Sequence, residues 1–148
     1  MMPRCEPVSG LRIPVIECGE PLVNLGGQEA VRAVDVVYVR LSLVDRLVTA
    51  QTLLPARVKL LVRQGYRANE PAHAAGAAVD LGLCTIDGDP LETGHDWRDL
   101  VLALQTVGLV NHPTEPRHWS YGDPYWAFKT GAAAARFGPF TGRRPEPA

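Results

Sequence analysis

The sequence predicts an α+β domain, in which a small central antiparallel sheet carries the functional residues and helices pack on one of its faces. Segments with apolar residues at helical spacing alternate with short apolar runs bounded by Gly or Pro, which are typical of strands. The chain has 148 residues, of which 46% are hydrophobic, and this is enough for one domain with a real core. We expect residues 1–138 to form that domain and residues 139–148, rich in Pro and Arg, to be a disordered tail.

The N-terminal part, residues 1–30, is rich in Pro and Gly and is predicted to be a loop-rich arm. Within the arm we expect a short strand at residues 13–17 and a turn at Gly26 and Gly27. Residues 34–39 are β-branched and predict an edge strand.

The middle of the chain predicts a helix followed by a strand. Residues 43–54 have apolar side chains at nearly helical spacing, with Ser42 as a cap and Pro55 as a stop. Residues 58–62 form a short apolar run, and the strand they predict ends near Gly65.

The second half predicts a buried strand at residues 77–84, which the turn residues Asp87 and Gly88 follow. A second helix is predicted at residues 96–107 and ends at Gly108. The last predicted elements are two short strands and a C-terminal helix, at residues 109–111, 117–120 and 124–137.

Composition gives no reason to expect a nucleic acid or a membrane surface as partner, because the formal net charge is −1. Cys5, Cys18 and Cys84 are odd in number and scattered, which favours reduced thiols over a disulfide framework. The first residues lack the apolar run of a secretory signal, and no segment is apolar enough to span a membrane. We therefore expect a cytoplasmic protein that acts on a small peptide or another small molecule. The oligomeric state is not predicted.

Two histidines and two carboxylates have the spacing of a catalytic zinc site. His73 precedes Asp80 by seven residues, and Gly76 between them predicts a turn that leads from a loop into a strand. Catalytic zinc usually takes three protein ligands and leaves one position open for water. We predict His73, Asp80 and His118 as the ligands of one Zn²⁺, with Glu115 as the general base that acts on the activated water. The same ligand set also suits other divalent ions.

The positions of the two carboxylates support this interpretation in different ways. Asp80 lies in an otherwise apolar strand, where an ionised group is costly unless it is paired or coordinated. Glu115 and His118 are three residues apart, so a regular strand would point them to opposite faces. A bulge or turn, for which Pro116 is suited, is needed to bring both to the metal. Alternatively, Glu115 is a surface carboxylate that pairs with Arg117.

Four other segments accompany these residues: Gln64-Gly65-Tyr66-Arg67, Gly94-His95-Asp96, Leu109-Val110-Asn111-His112-Pro113, and the run from Trp119 to Trp126. Together with the zinc motif they resemble the D-alanyl-D-alanine dipeptidases of the vancomycin-resistance type, which belong to the lysostaphin/D-Ala-D-Ala/hedgehog group of zinc metallopeptidases. The resemblance covers about residues 43–138. It implies that Arg67 polarises the scissile carbonyl and that Asp96 binds the free amino group of the substrate.

The remaining candidates are assigned from their residue types. Asp96 is equally well placed to cap the second helix. Asp123 is predicted to orient a ligand histidine by accepting its other ring N–H. The predicted substrate-binding walls are Tyr66, His112 and Trp119.

The chain also departs from the dipeptidases. Only five residues separate Arg67 from His73, where the dipeptidases have a helical insert, and Pro71 and Ala72 occupy the positions of serines that seat the dipeptide. The prediction is a zinc-dependent hydrolase for a D-Ala-D-Ala-like dipeptide or a related amide. The alternatives are a zinc enzyme of the same fold that catalyses an elimination, cyclisation or isomerisation in small-molecule metabolism, and a non-catalytic binding module with a fourth protein ligand.

Overall fold

The computed structural model describes residues 12–28, 30–91 and 95–142, and these form the predicted α+β structure. The helices are α1 (Leu41–Thr52), α2 (His95–Thr106) and α3 (Pro124–Thr130). The strands are β1 (Leu22–Asn24), β2 (Arg32–Ala33), β3 (Tyr38–Arg40), β4 (Val58–Gln64), β5 (Ala78–Thr85), β6 (Pro90–Leu91), β7 (Val110–His112) and β8 (Glu115–Ser120). Among the described residues, no helix has the length and apolar character needed to cross a membrane.

Six of these strands form the main sheet, in the order β2–β4–β5–β8–β7, with β6 paired to β5. The pairs that carry the candidate site, β4–β5, β5–β8 and β7–β8, are antiparallel as predicted. The pair β2–β4 is parallel, which the sequence did not predict. Strands β1 and β3 form a separate antiparallel pair.

The hydrophobic core lies on one face of the main sheet. Along β5, Val79 and Leu81 belong to the core, and strand alternation turns Asp80 to the opposite face. Along β8, Trp119 belongs to the core and the preceding His118 does not. Helices α1 and α2 pack against each other and against the sheet. Helices α1 and α2 therefore cover one face, and the other face carries Asp80 and His118.

Helix α1 begins at Leu41, and its N-terminus is capped by a distant carboxylate. The predicted cap, Ser42, lies inside the first turn, where its N–H donates to Glu20 Oε1 at 2.7 Å and its hydroxyl donates to the other Glu20 oxygen. Arg40 occupies the N-cap position and makes no side-chain cap bond. The free N–H groups and the dipole of a helix N-terminus favour an anion. The sequence missed this cap because Glu20 lies 22 residues earlier in the chain.

The predicted edge strand at residues 34–39 is divided between two sheets. Val34 still donates its N–H to the Val62 carbonyl at 3.0 Å, but β3 pairs with β1 and leaves the main sheet. The β-branched run therefore contains a crossing point, where the side chains of Val34 and Val36 are exposed.

Helix α3 ends at Thr130, seven residues before the predicted end at residue 137. Gly131 has φ 74°, a left-handed conformation that suits glycine and closes the helix. Beyond it the chain bends, and Ala135 forms an isolated bridge with Val15. The sequence predicted a strand at residues 13–17, and the structure has only this bridge at Val15 there.

The start of the predicted disordered tail is packed against the domain. Phe140 donates its N–H to the Ala74 carbonyl at 2.8 Å, and its ring meets the edge of Tyr66 with 5.8 Å between centroids. The Arg40 guanidinium lies 4.9 Å from the centroid of the same ring. An aromatic ring with these contacts offsets the cost of ordering the chain. Residues 143–148 of the tail and residues 1–11 of the arm lie outside the described residues.

Candidate metal centre

The three predicted metal ligands come together on the open face of the sheet. His73, Asp80 and His118 each offer one ligand atom, and these atoms all lie within 4.8 Å of one another. Asp80 and His118 are directly opposite in the β5–β8 pairing, which makes their side chains neighbours. Asp80 Oδ2 lies 3.7 Å from His73 Nε2, and Asp80 Oδ1 lies 3.3 Å from His118 Nδ1. Ligands of one zinc ion, at about 2.0–2.2 Å from it, are separated by comparable distances.

His73 reaches this point from the loop between β4 and β5, and its main chain is fixed by a series of turns. Its N–H donates to Glu70 O at 2.9 Å, and its carbonyl accepts from Arg67 N at 3.3 Å and from Gly76 N at 3.1 Å. Gly76 has φ 66°, as suits the turn predicted there, because a side chain would strain this conformation. The main chain that carries the His73 ring is therefore fixed by hydrogen bonds within the loop.

The two histidines are buried, and the Nδ1 atom of each ring has no hydrogen-bond partner among the described residues. His73 is 2% exposed and His118 is 3% exposed. Neither His73 Nδ1 nor His118 Nδ1 makes a hydrogen bond, and the approach of His118 Nδ1 to Asp80 has the distance of an ion pair without hydrogen-bond geometry. The backbone carbonyl of Gly65 favours the protonated His73 ring and so acts to raise the pKa of His73. It does not form a hydrogen bond with His73 Nδ1. A buried polar atom without a partner costs about 1–3 kcal/mol, and a cation held between His118 Nδ1 and Asp80 would give this nitrogen a partner.

The electrostatics favour the protonation states that bind metals. Burial lowers the pKa of His73, and the Asp80 charge only partly opposes this effect. Burial alone would raise the pKa of Asp80, but the contacts with His118 and His73 and the charge of Arg67 outweigh it and lower that pKa. At neutral pH the cluster therefore contains a carboxylate and a neutral imidazole, which are the ligating forms.

The bulge that the sequence required between Glu115 and His118 is present in β8. Asn111 pairs with Trp119, but the next residue, His112, pairs with Glu115, so three residues of β8 have no partner in β7. The Asn111 side-chain amide spans this gap. Its Nδ2 lies 3.3 Å from Glu115 O, 3.1 Å from Pro116 O and 2.9 Å from His118 O. Asn111 thus holds both ends of the bulge in place of the missing strand partner.

Two other predicted residues, Arg67 and His112, lie near this cluster. Arg67 is exposed just beyond the end of β4, and its charge acts on Asp80. Glu115 is the half-buried first residue of β8. His112 stands opposite it in β7, with its ring centroid 5.5 Å from that of His118.

Asp96 is not brought to the cluster. It lies in the first turn of α2 and forms an ion pair with Arg57 at 2.5 Å. Arg57 directly precedes β4, whereas Asp80 pairs with Gln64 at the other end of that strand. The seven residues of β4 put about 20 Å between these ends. Gly94, which the sequence grouped with Asp96, lies outside the described residues.

Three further predicted residues have other environments. Trp119 is 1% exposed in the hydrophobic core, on the face of β8 that points away from His118. Asp123, predicted to orient a ligand histidine, accepts from Trp126 N at 2.8 Å through Oδ1 and caps α3. Tyr66 is half-buried against Phe140, next to Arg67.

Sequence reasoning gave no role to Arg40, which is 1% exposed behind the His73 loop. Its Nε donates to Ala75 O at 2.8 Å, and its two terminal nitrogens bind both Glu17 oxygens at 3.0 and 2.9 Å. They also donate to the carbonyls of Glu20 and Gly138. No local sequence pattern identifies such a residue, because its partners come from three distant segments.

No protein-family model matches this chain, and comparison with curated proteins gives no match either.

Proposed function

We propose that this chain is a zinc-dependent hydrolase that cleaves an amide bond, of the kind represented by the D-Ala-D-Ala dipeptidases. The observation that carries the proposal is the buried group of His73, Asp80 and His118. Its donor atoms converge, and His118 Nδ1, which faces Asp80, has no hydrogen-bond partner among the described residues. Two imidazoles and one carboxylate are a ligand set that zinc uses in catalytic sites.

Three protein ligands favour a catalytic site over a structural one. Structural zinc sites are closed by four protein ligands, whereas catalytic sites keep a position open. Among the described residues, the group whose ligand atoms converge contains three members. A purely structural site does not require the positive charge that Arg67 places near the cluster.

Bound zinc would supply Lewis acidity, which polarises a carbonyl and lowers the pKa of a coordinated water. Glu115 would accept the proton of the attacking water and deliver it to the leaving amine. Arg67 would donate hydrogen bonds to the substrate oxygen that becomes negative during attack. Asn111 would keep Glu115 and His118 at a fixed separation through its bonds to the bulge.

The test is hydrolysis by the zinc-loaded chain of a panel of dipeptides and N-acyl amides that includes D-Ala-D-Ala. Wild type is compared with Glu115→Gln, and with Glu70→Gln as a matched control, since Glu70 is an exposed carboxylate in the His73 loop. We expect Glu115→Gln to lower kcat by at least about 100-fold with zinc content unchanged, and Glu70→Gln to have little effect. Hydrolysis that survives in Glu115→Gln would remove the general base from the proposal. A wild type that binds zinc and hydrolyses nothing would favour the non-hydrolytic enzyme instead.

A further inference from the structure

A cleft of about 260 Å³ lies beside the metal centre, and His118 forms part of its wall. Its other walls come from three separate segments. The His73 loop contributes Pro71, Ala72 and Ala74, the start of α3 contributes Pro124 and Tyr125, and the C-terminal segment contributes Pro139. The prolines and alanines are short and apolar, and this leaves the space between the segments open.

The charges in the wall are unsuited to an anion. The polar side chains that line the cleft are His112, His118, Asp123 and Tyr125, and the lining drawn from the described residues includes no Lys or Arg. The Asp123 carboxylate is buried and held in place as the cap of α3. The lining that the structure describes includes no cation that would pair with a substrate carboxylate, and burying an unpaired carboxylate among apolar side chains is unfavourable.

The size of the cleft admits a substantial apolar group. An apolar cavity of about 150 Å³ in another protein stays dry and binds benzene. This cleft is larger and opens beside a metal ligand, which is the usual setting of a substrate subsite.

We propose that the cleft is a substrate subsite for a neutral apolar group, branched or aromatic, attached next to the amide that the metal centre cleaves. The inference rests on the proposed function and sharpens it. The substrate class is an amide with a hydrophobic substituent, and a small dipeptide whose free carboxylate would have to enter this cleft is disfavoured.

The first test measures by calorimetry how the zinc-loaded chain binds three hydroxamic acids, which share one metal-binding group. Acetohydroxamic acid is the small reference, phenylacetohydroxamic acid adds a neutral ring, and succinic monohydroxamic acid adds a carboxylate. We expect the phenyl compound to bind about 10- to 100-fold more tightly than the reference, through burial of the ring. The succinic compound should bind no more tightly than the reference.

The outcomes separate this inference from the proposed function. Equal affinities for the acetyl and phenylacetyl compounds, or tightest binding of the succinic compound, would overturn the subsite while leaving the metal centre intact. Failure of all three to bind a chain that contains zinc would overturn the proposed open coordination position, and the subsite with it.

A second test fills the cleft. Ala74→Leu should abolish the advantage of the phenyl compound and leave acetohydroxamic acid binding unchanged. The control is Ala134→Leu, a half-buried alanine outside the cleft. Pro139→Trp places a ring at the cleft from an exposed position and gives the same test if Ala74→Leu does not fold. An unchanged phenyl advantage in the folded variants would contradict the proposal.

Discussion

Two buried polar groups lie on opposite sides of the His73 loop, and the protein treats them differently. Arg40 is 1% exposed, and its five side-chain hydrogen bonds end on protein acceptors in the arm, the His73 loop and the C-terminal segment. The metal-centre histidines are equally buried, yet their Nδ1 atoms have no hydrogen-bond partner. Buried polar atoms are normally satisfied, and an exception needs an explanation.

The difference separates a structural group from a binding group. The Arg40 cluster is complete without a ligand, and it ties the N-terminal arm and the C-terminal segment to the back of the His73 loop. The histidine and aspartate cluster is preorganised and incomplete. We interpret the first as the frame that fixes the loop and the second as the site that this frame holds ready.

The largest expected effect on the free energy of unfolding comes from removing the Arg40 guanidinium, which holds the frame together. Arg40→Met should lower the free energy of unfolding by about 3–5 kcal/mol, because it leaves buried carbonyls and Glu17 without their partner. Urea unfolding measures this loss. Arg63→Met is the control, since Arg63 is exposed on β4. A loss within about 0.5 kcal/mol, as expected for a surface position, would show that the Arg40 cluster does not stabilise the fold. It would contradict the difference proposed between the two clusters.

The second prediction is that zinc completes the other cluster. At a free zinc concentration of about 100 times Kd, the free energy of unfolding should rise by about 2.7 kcal/mol, because the metal binds the folded chain. A chelator should reverse the gain, and His118→Ala should abolish it. An equal gain in wild type and His118→Ala would place the bound metal elsewhere.

The third prediction concerns the bulge between Glu115 and His118. Asn111→Asp replaces the amide donor by an oxygen that repels the three carbonyls, and it should weaken zinc binding by about 10- to 100-fold. The matched control is Gln51→Glu, because the Gln51 amide also donates to a backbone carbonyl, that of Val58 at 3.1 Å. Both variants should lose some thermal stability, but only Asn111→Asp should change the visible spectrum of the Co²⁺-substituted protein. Identical spectra would reduce Asn111 to a structural role.

The smallest effect is a pH dependence of the frame. Burial opposes ionisation of Glu17, but the hydrogen bonds from Arg40, Gly19 and Gly138 outweigh it and lower the pKa of Glu17 below 4.5. A carboxyl with a lowered folded-state pKa stabilises the protein above its unfolded pKa, and this stabilisation is lost as the pH falls through the folded value. Glu17→Gln should therefore destabilise the chain at neutral pH, by up to about 1 kcal/mol since Glu17 is partly exposed, and less at about pH 3. Unfolding curves at both pH values measure the difference, and equal losses would exclude a contribution from the charge.

The sequence predicted those features that depend on local pattern. The apolar strand around Asp80 predicted that this carboxylate would be paired or coordinated, and the three-residue spacing of Glu115 and His118 predicted that β8 would need a bulge or turn. The convergence of His73, Asp80 and His118 follows from residue types that are costly to bury without a partner.

The sequence could not predict contacts between distant segments. Asp96 was assigned to the substrate from a local motif, and its ion pair with Arg57 depends on how α2 docks beside the start of β4. Arg40 makes five side-chain hydrogen bonds to residues of distant segments, and Glu20 caps α1 from the arm. Only the complete fold brings these segments together. The C-terminal helix was predicted too long because an alanine run favours helix, while Gly131 ends it.

The most direct test of the central claim is a calorimetric titration of zinc into the metal-free chain, for wild type, Asp80→Ala and Glu70→Gln. We predict one zinc ion per chain in wild type and in Glu70→Gln, and an affinity at least about 100-fold weaker in Asp80→Ala. A wild type that takes up no zinc, or an Asp80→Ala variant that binds it as tightly as wild type, would contradict the assignment of His73, Asp80 and His118 as a metal centre.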